Sequence, residues 1–334
     1  MITAVTGASG HIGACLVRKM LDQGRKVRVL VRKDTRGLEG LDVEQFQGDM
    51  TSPDSLLPLL DGVDVVHHLA GFISVDGSNH PDLTSVNIGG VTNLMAAALK
   101  SKVRRVVHYS SIHALVEHPL NQPLDETRSL MSDPQELPYN LSKAGGERQV
   151  AKAVEQGLDV VVVNPSGVIG PFDFKLSHMG EVINDLAQGR MPALIAAGYN
   201  FVDVRDVVDG ALAAEVKGRT GERYLLCGNF VTFGELAASV ATHSGTPAPR
   251  FTVPMWVARM GAPFSLAWAK ITGQRPKYTS ASLRVLRGNG QVDLSKASGE
   301  LGYAPRPLDD TIRDAIAWQR ENGFLTAKSM DAAT

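Results

Sequence analysis

Of the six tyrosines in this chain, only Tyr139 has a lysine four residues on, at Lys143. On a helix that spacing sets both side chains on one face, within reach of a common ligand. A second stretch with chemical use is Gly7-Ala8-Ser9-Gly10-His11-Ile12-Gly13, directly behind the apolar run Ile2-Thr3-Ala4-Val5. Glycine lets the backbone turn tightly and come close to a ligand. A helix opening there offers unpaired N–H groups and a partial positive charge, which is what a dinucleotide pyrophosphate needs. The glycines are spaced GxxGxxG, whereas the usual fingerprint is GxGxxG.

Other residues bear on what that turn would hold. The run Val29-Leu30-Val31-Arg32-Lys33 ends on a cation. An acidic residue there would bond both ribose hydroxyls of NAD, whereas the planar fork of Arg32 matches the extra phosphate of NADP. NADPH is therefore favoured, with NAD as the alternative cofactor and a solvated basic loop as the bland reading of Arg32. In Gly48-Asp49-Met50 the Asp49 carboxylate could meet an adenine amino group or cap the helix that starts near Pro53. His113 reads as a solvated loop histidine, with a substrate-side donor or second proton carrier as its alternative. His67, His68, His108 and His118 show no metal spacing, and no metal is expected.

Positioning these groups requires strands and helices in alternation. Strands are predicted at Ile2–Thr6, Val27–Val31, Val43–Gln47, Val65–Leu69, Arg105–Ser110 and Asp159–Asn164. Helical patterns lie between them at Ile12–Gln23, Pro53–Leu60, Val86–Ser101 and Lys143–Gln156. This is the pattern of βαβ units and a parallel sheet, whose right-handed crossovers bring every strand's C-terminal end to one ligand-binding edge. The fold class is α/β: a Rossmann, doubly wound parallel sheet with a smaller, discontinuous C-terminal substrate domain. Residues 1–171 and about 201–229 form the first domain, with Phe201–Asp206 and Arg223–Cys227 returning to the sheet and a helix at Val207–Glu215. About 172–200 and 230–327 form the second, where a last helix is predicted at Leu308–Asn322. Residues 328–334 are a tail, part of a small and polar run from Thr326.

A net charge of −1 gives no electrostatic reason to bind nucleic acid or anionic membranes. The nearest thing to a membrane span, Val253–Ile271, is interrupted by Pro254, Arg259, Pro263 and Lys270. It reads as amphipathic helix of the small domain rather than a membrane contact. Cys15 and Cys227 fall in apolar runs and read as reduced core residues, and with a first strand beginning at once the expected location is cytoplasmic.

In order, TGASGHIG (Thr6–Gly13), HYSSIHA (His108–Ala114), YNLSK (Tyr139–Lys143) and NPSGVIGP (Asn164–Pro171) make the chain resemble an extended short-chain dehydrogenase/reductase. It is most similar to the dihydroflavonol-reductase-like branch. That branch includes 3β-hydroxysteroid dehydrogenases, aldehyde and ketone reductases and hopanoid-associated sugar epimerases. VLVR at Val29–Arg32 and NPSGVIGP are the features shared with it.

The resemblance implies a catalytic set of Ser111, Tyr139 and Lys143. Tyr139 would protonate the nascent alkoxide as hydride arrives, and poising a phenol near neutrality takes about 4 kcal/mol of phenolate stabilisation. Lys143 and the oxidised nicotinamide would supply it, Lys143 also holding ribose hydroxyls, while Ser111 rather than Ser110 would bond the substrate oxygen. The implied cofactor site comprises Gly7, Ser9, Gly10, His11, Ile12, Gly13, Arg32, Asp49, Met50, Leu69, Ala70, Gly71, Tyr139, Lys143, Pro165, Gly167 and Val168. Ala70 and Gly71 would let the cofactor pass close, Asn164–Val168 would face the nicotinamide amide, and Asn87 would brace the active-site strand. The implied activity is NADPH-dependent interconversion of a small ketone or aldehyde and an alcohol. Two alternatives stand beside it: an NAD-dependent nucleotide-sugar epimerase or dehydratase, and a non-catalytic NADP-binding regulator. Substrate would be chosen by the loops Phe72–Ser85 and His113–Pro138 and by the aromatic stretch Phe172–Lys175. Family dimers pair the helices corresponding to Val86–Ser101 and Lys143–Gln156, so a homodimer is the expected assembly.

Overall fold

Apolar runs such as Val160–Val163 have no polar face, so they are stable only where both sides of a sheet are covered. In the computed structural model, which describes residues 1–74, 77–261 and 279–325, they lie in the middle of such a sheet. The strands are β1 (Ile2–Thr6), β2 (Lys26–Val31), β3 (Glu44–Gln47), β4 (Val65–His68), β5 (Arg105–Tyr109) and β6 (Val160–Pro165). After β7 (Gly167–Ile169), β8 (Ala193–Ile195) and β9 (Gly198–Asp203), β10 (Arg223–Leu226) completes it. All neighbours are parallel in the seven-stranded order β10-β6-β5-β4-β1-β2-β3. The order reverses at β1, which opens a crevice between the ends of β1 and β4.

Strand alternation sends neighbouring side chains to opposite faces. Val5, Val161 and Val163 pack with Leu16 and Met20 of α1 (His11–Asp22) and Val207 and Ala211 of α7 (Val204–Lys217). Ala4, Val160 and Val162 pack on the other face with Leu56 and Leu59 of α2 (Leu56–Leu60), Leu94 of α4 (Val91–Lys100) and Val150 of α5 (Pro138–Glu155). A short helix, α3 (Pro81–Thr84), precedes a π turn at Ser85–Gly90 that leads into α4. The helix predicted from Lys143 thus starts at Pro138, a residue tolerated at the first helical position, so Tyr139 and Lys143 occupy successive turns.

The smaller unit holds β11 (Asn229–Thr232) and β12 (Phe251–Val253), with α6 (His178–Ala187), α8 (Phe233–Ser244) and the helix Leu308–Glu321. Its core joins Ile183, Leu236, Val240, Ile312 and Ile316. Phe201–Asp203 correct one expectation: they do not return to the large sheet but form the centre of a three-stranded sheet, β11-β9-β7. Phe201 is buried among Ile169, Val231 and Ile312 there, and the open edge beyond β6 goes to β10. The tail from Thr326 and most of Val253–Ile271 lie outside the described residues. Among the described residues no helix is long and apolar enough to cross a membrane.

Candidate active site

The glycine turn has the shape of a phosphate cradle. Gly7 holds a φ of +73°, and a Cβ there would come within 2.6 Å of the Ala70 nitrogen and 2.7 Å of the Leu69 carbonyl carbon. A Cβ on Gly13 would lie 2.3 Å from the Gly7 oxygen, so only hydrogen fits where α1 crosses the turn. Gly10 caps α1 without a side-chain bond, and the first turn carries no acid to compete with an anion. His11 donates from Nε2 to the Pro171 carbonyl at 2.8 Å, while Ile12 packs into the core behind the turn. These features fit a dinucleotide pyrophosphate at Ser9–Gly13.

At the same sheet edge β5 leads into Ser111, whose Oγ accepts from the His113 amide at 3.2 Å and which lies close enough to the Tyr139 phenol to lower its pKa. The neighbouring Ser110 hydroxyl is buried with no partner among the described residues. Burial pushes Tyr139 up to about 12, with Ser111 working the other way, so the phenol holds its proton firmly. Lys143 donates from Nζ to the Tyr109 carbonyl at 2.9 Å. Burial lowers it to about 8, opposed by Glu147.

Two asparagines fix this geometry. Asn87, in the π turn, accepts from the Phe72 amide at 2.7 Å and donates to the Phe72 carbonyl and to Ser142 Oγ, both at 2.9 Å. It therefore braces the loop after β4 against the residue next to Lys143, rather than the active-site strand. Gly71 lies between them, where a Cβ would meet Asn87 Oδ1 at 3.3 Å. Asn164 donates to the Ser111 carbonyl at 3.0 Å and to Glu147 at 2.7 Å, holding the serine from β6.

Farther along the edge, Arg32 is exposed and lies 3.5 Å from Asp49. The other oxygen of Asp49 closes a turn by accepting from the Thr51 amide and hydroxyl at 2.8 and 2.7 Å, so it caps no helix. Those Thr51 bonds hold its carboxyl below the usual carboxylate range. Met50 is buried against α4 and its carbonyl is taken by Asn93, which leaves its side chain in the core rather than at the edge. Pro165 ends β6, and Gly167 and Val168 begin β7, where a Cβ on Gly167 would strike the Tyr199 ring at 2.7 Å.

His113 departs from its expectation. It is buried rather than solvated, with Nδ1 3.2 Å from Glu117 and Nε2 2.5 Å from the Tyr199 hydroxyl. The spacing of His113 and Glu117 was visible in the sequence, but Tyr199 comes from β9. Lys175, expected with Phe172–Lys175 as substrate surface, instead reaches Ser9 Oγ at 3.2 Å and Asp34 at 3.5 Å, placing a cation over the glycine turn. His67 and His68 turn inward, His67 to Tyr109 and Glu215 at 3.0 Å each and His68 to Thr6 at 2.7 Å.

The sequence pattern of the NAD-dependent epimerase/dehydratase family matches residues 3–227, from the first strand through β10. The chain belongs to that family. Within it the chain is an extended short-chain dehydrogenase/reductase that binds a nicotinamide dinucleotide and acts on CH–OH and carbonyl groups of small molecules. It is 36% identical to sterol demethylase protein B of Methylococcus capsulatus, covering 97% of this chain and 100% of the relative. It is 28% identical to the 4-hydroxy-2-methyl-3-oxo-4-farnesyl-3,4-dihydroquinoline-1-oxide ketoreductase of Stigmatella aurantiaca, covering 95% and 96%. Among solved structures it resembles a nucleoside-diphosphate-sugar epimerase from Pseudomonas aeruginosa, at 28% identity and a TM-score of 0.79 over 98% and 99% of the two chains.

Proposed function

We propose that this family member is an NADPH-dependent reductase that interconverts a ketone or aldehyde and an alcohol, with Tyr139 as general acid and base. The observation that carries the reading is the grouping of Ser111 beside Tyr139, one helical turn from Lys143, on the sheet edge that also carries the glycine cradle. The cofactor, when bound, supplies the hydride that adds to the carbonyl carbon. Ser111 and Tyr139 hold the carbonyl oxygen, and the developing alkoxide takes the Tyr139 proton, so that one O–H bond breaks as another forms. Ser111 and Lys143 then oppose the charge left on the phenolate. A phenol held up to about 12 stays protonated at neutral pH, so the acid that reduction needs is present there, and the reverse oxidation, which needs the phenolate, gains rate as pH rises. The NADPH preference rests on Arg32, an exposed cation at the end of β2. Support for a ketone substrate comes from the relative whose name is that of a ketoreductase.

The same site could serve a nucleotide sugar with NAD held through a cycle of oxidation and reduction, as in the family's epimerases. The likeness to the Pseudomonas structure favours that second reading, and Arg32 opposes it. Following NADPH and NADH oxidation against ketones, aldehydes and nucleotide sugars separates the two. Carbonyl-dependent NADPH oxidation is expected, and Tyr139→Phe should lower its kcat by about 10² to 10⁴ while NADPH still binds. Purification with bound NAD and isomerisation of a nucleotide sugar without net turnover would sink the reductase reading.

A further inference from the structure

Beyond Ser111, Tyr139 and Lys143, a second chain of proton-bearing groups approaches Tyr139. It begins at Glu117, whose Oε2 accepts from the Asn289 amide at 3.1 Å and whose Oε1 lies 3.2 Å from His113 Nδ1. Its surroundings are closely fitted, since a Cβ on Gly288 would fall 2.0 Å from Glu117 Oε2. The chain continues through His113 Nε2 to the Tyr199 hydroxyl at 2.5 Å. The Tyr199 ring stacks on the imidazole at 6.0 Å between centroids, and the Tyr139 ring meets the same imidazole edge-on at 6.4 Å. Tyr199 also rests on Gly167, in the segment expected to face the nicotinamide.

We propose that Tyr199 is a substrate-contacting hydroxyl that selects carbonyl compounds bearing a second oxygen close to the reacting one, and that His113 and Glu117 are positioning residues controlling it. This rests on the reductase reading of Tyr139. The reason is a matter of donors and acceptors. Glu117 as a carboxylate accepts the Nδ1 proton, so neutral His113 has only a lone pair at Nε2 and Tyr199 must point its proton there. The phenol then offers its lone pairs to the pocket, suited to a substrate hydroxyl. When His113 is protonated, Nε2–H donates to the Tyr199 oxygen and frees the phenolic proton for a carbonyl or carboxylate oxygen. In that second arrangement a substrate with only methylenes at that point leaves the phenolic proton without an acceptor and is rejected. The groups facing this chain are Ser111 and His118 on its own segment, Tyr139 from α5, Cys227 after β10 and the Asn289 amide.

The test compares ethyl 3-oxohexanoate with 4-nonanone, which has the same chain length and ketone position but lacks the second oxygen. Both are followed by NADPH oxidation from about pH 5 to about pH 9, a span that covers histidine titration. Wild-type protein is expected to prefer the keto ester, with its KM rising as pH rises. Tyr199→Phe keeps the stacked ring and should raise KM for the keto ester about tenfold, leaving 4-nonanone within about twofold. His113→Gln should remove the pH dependence of that KM. A wild type that does not distinguish the compounds, whether it turns over both alike or neither, overturns the proposal. So does a Tyr199→Phe variant that affects both equally, or a His113→Gln variant that keeps the pH dependence. Turnover that survives Tyr139→Phe is a different result: it removes the reductase reading itself. Unchanged NADPH affinity and an unchanged melting temperature show that each variant is folded.

Discussion

At the residue scale the site depends on which side chains are partnered and which are left free. Ser111 lies beside Tyr139, which supports its proposed role, whereas the neighbouring Ser110 hydroxyl is buried without a partner among the described residues. The proposed NADPH preference rests on Arg32, which is exposed beside Asp49. Arg32→Ala is therefore expected to weaken NADPH binding about tenfold, the worth of a charged hydrogen bond, and to leave NADH binding unchanged. Fluorescence titration with the two reduced cofactors measures it. Equal losses for both would mean that Arg32 does not read the extra phosphate. His113 shows where reading by type alone misleads: a histidine in a polar loop reads as solvated until its partners are known, and one partner lies 86 residues away on β9.

At the scale of elements, the cradle depends on α1 crossing the turn after β1 without a side chain between them. Gly13→Ala would place a Cβ 2.3 Å from a backbone oxygen, which no rotamer relieves. A loss of about 1–3 kcal/mol of stability is expected, together with weaker cofactor binding. Urea unfolding and cofactor titration check it, and a variant that binds NADPH like the parent would show that the turn can open. The π turn at Ser85–Gly90 has a comparable local role: it presents Asn87 to Phe72 and Ser142 at once. Periodicity predicts a helix over this stretch, and the family resemblance implies a bracing role for Asn87. The widened turn and the identity of the braced loop could not be read there, because they depend on where Phe72 and α5 come to lie.

For the whole molecule, the large sheet buries three histidines that burial holds neutral. His68 is lowered from 6.5 to about 3 by burial, with the charge of Lys143 adding to it, and His108 is lowered well below its ordinary value for the same leading reason. A folded-state pKa below the unfolded one means that the unfolded chain binds the proton more readily. The stability tied to His68 is therefore complete above about pH 6.5 and drains away as pH falls toward about 3. Chemical denaturation between about pH 7 and about pH 4.5 should show a steep loss, and His68→Phe should flatten it. A parent protein equally stable at both ends would contradict this account.

The order of strands and helices in the first half, the GxxGxxG cradle and the Tyr139–Lys143 pair were fixed by sequence, because each depends on residues within a few positions of one another. Hydrophobic periodicity and glycine's backbone freedom act locally, and they survive without knowledge of the fold. Tertiary structure alone decided that Phe201–Asp203 join the small sheet, that Lys175 reaches Ser9, and that Glu117, His113 and Tyr199 form one chain. An apolar strand carries no mark of which sheet will bury it, and a polar side chain carries none of its distant partner. Both are settled only when segments far apart in sequence pack together.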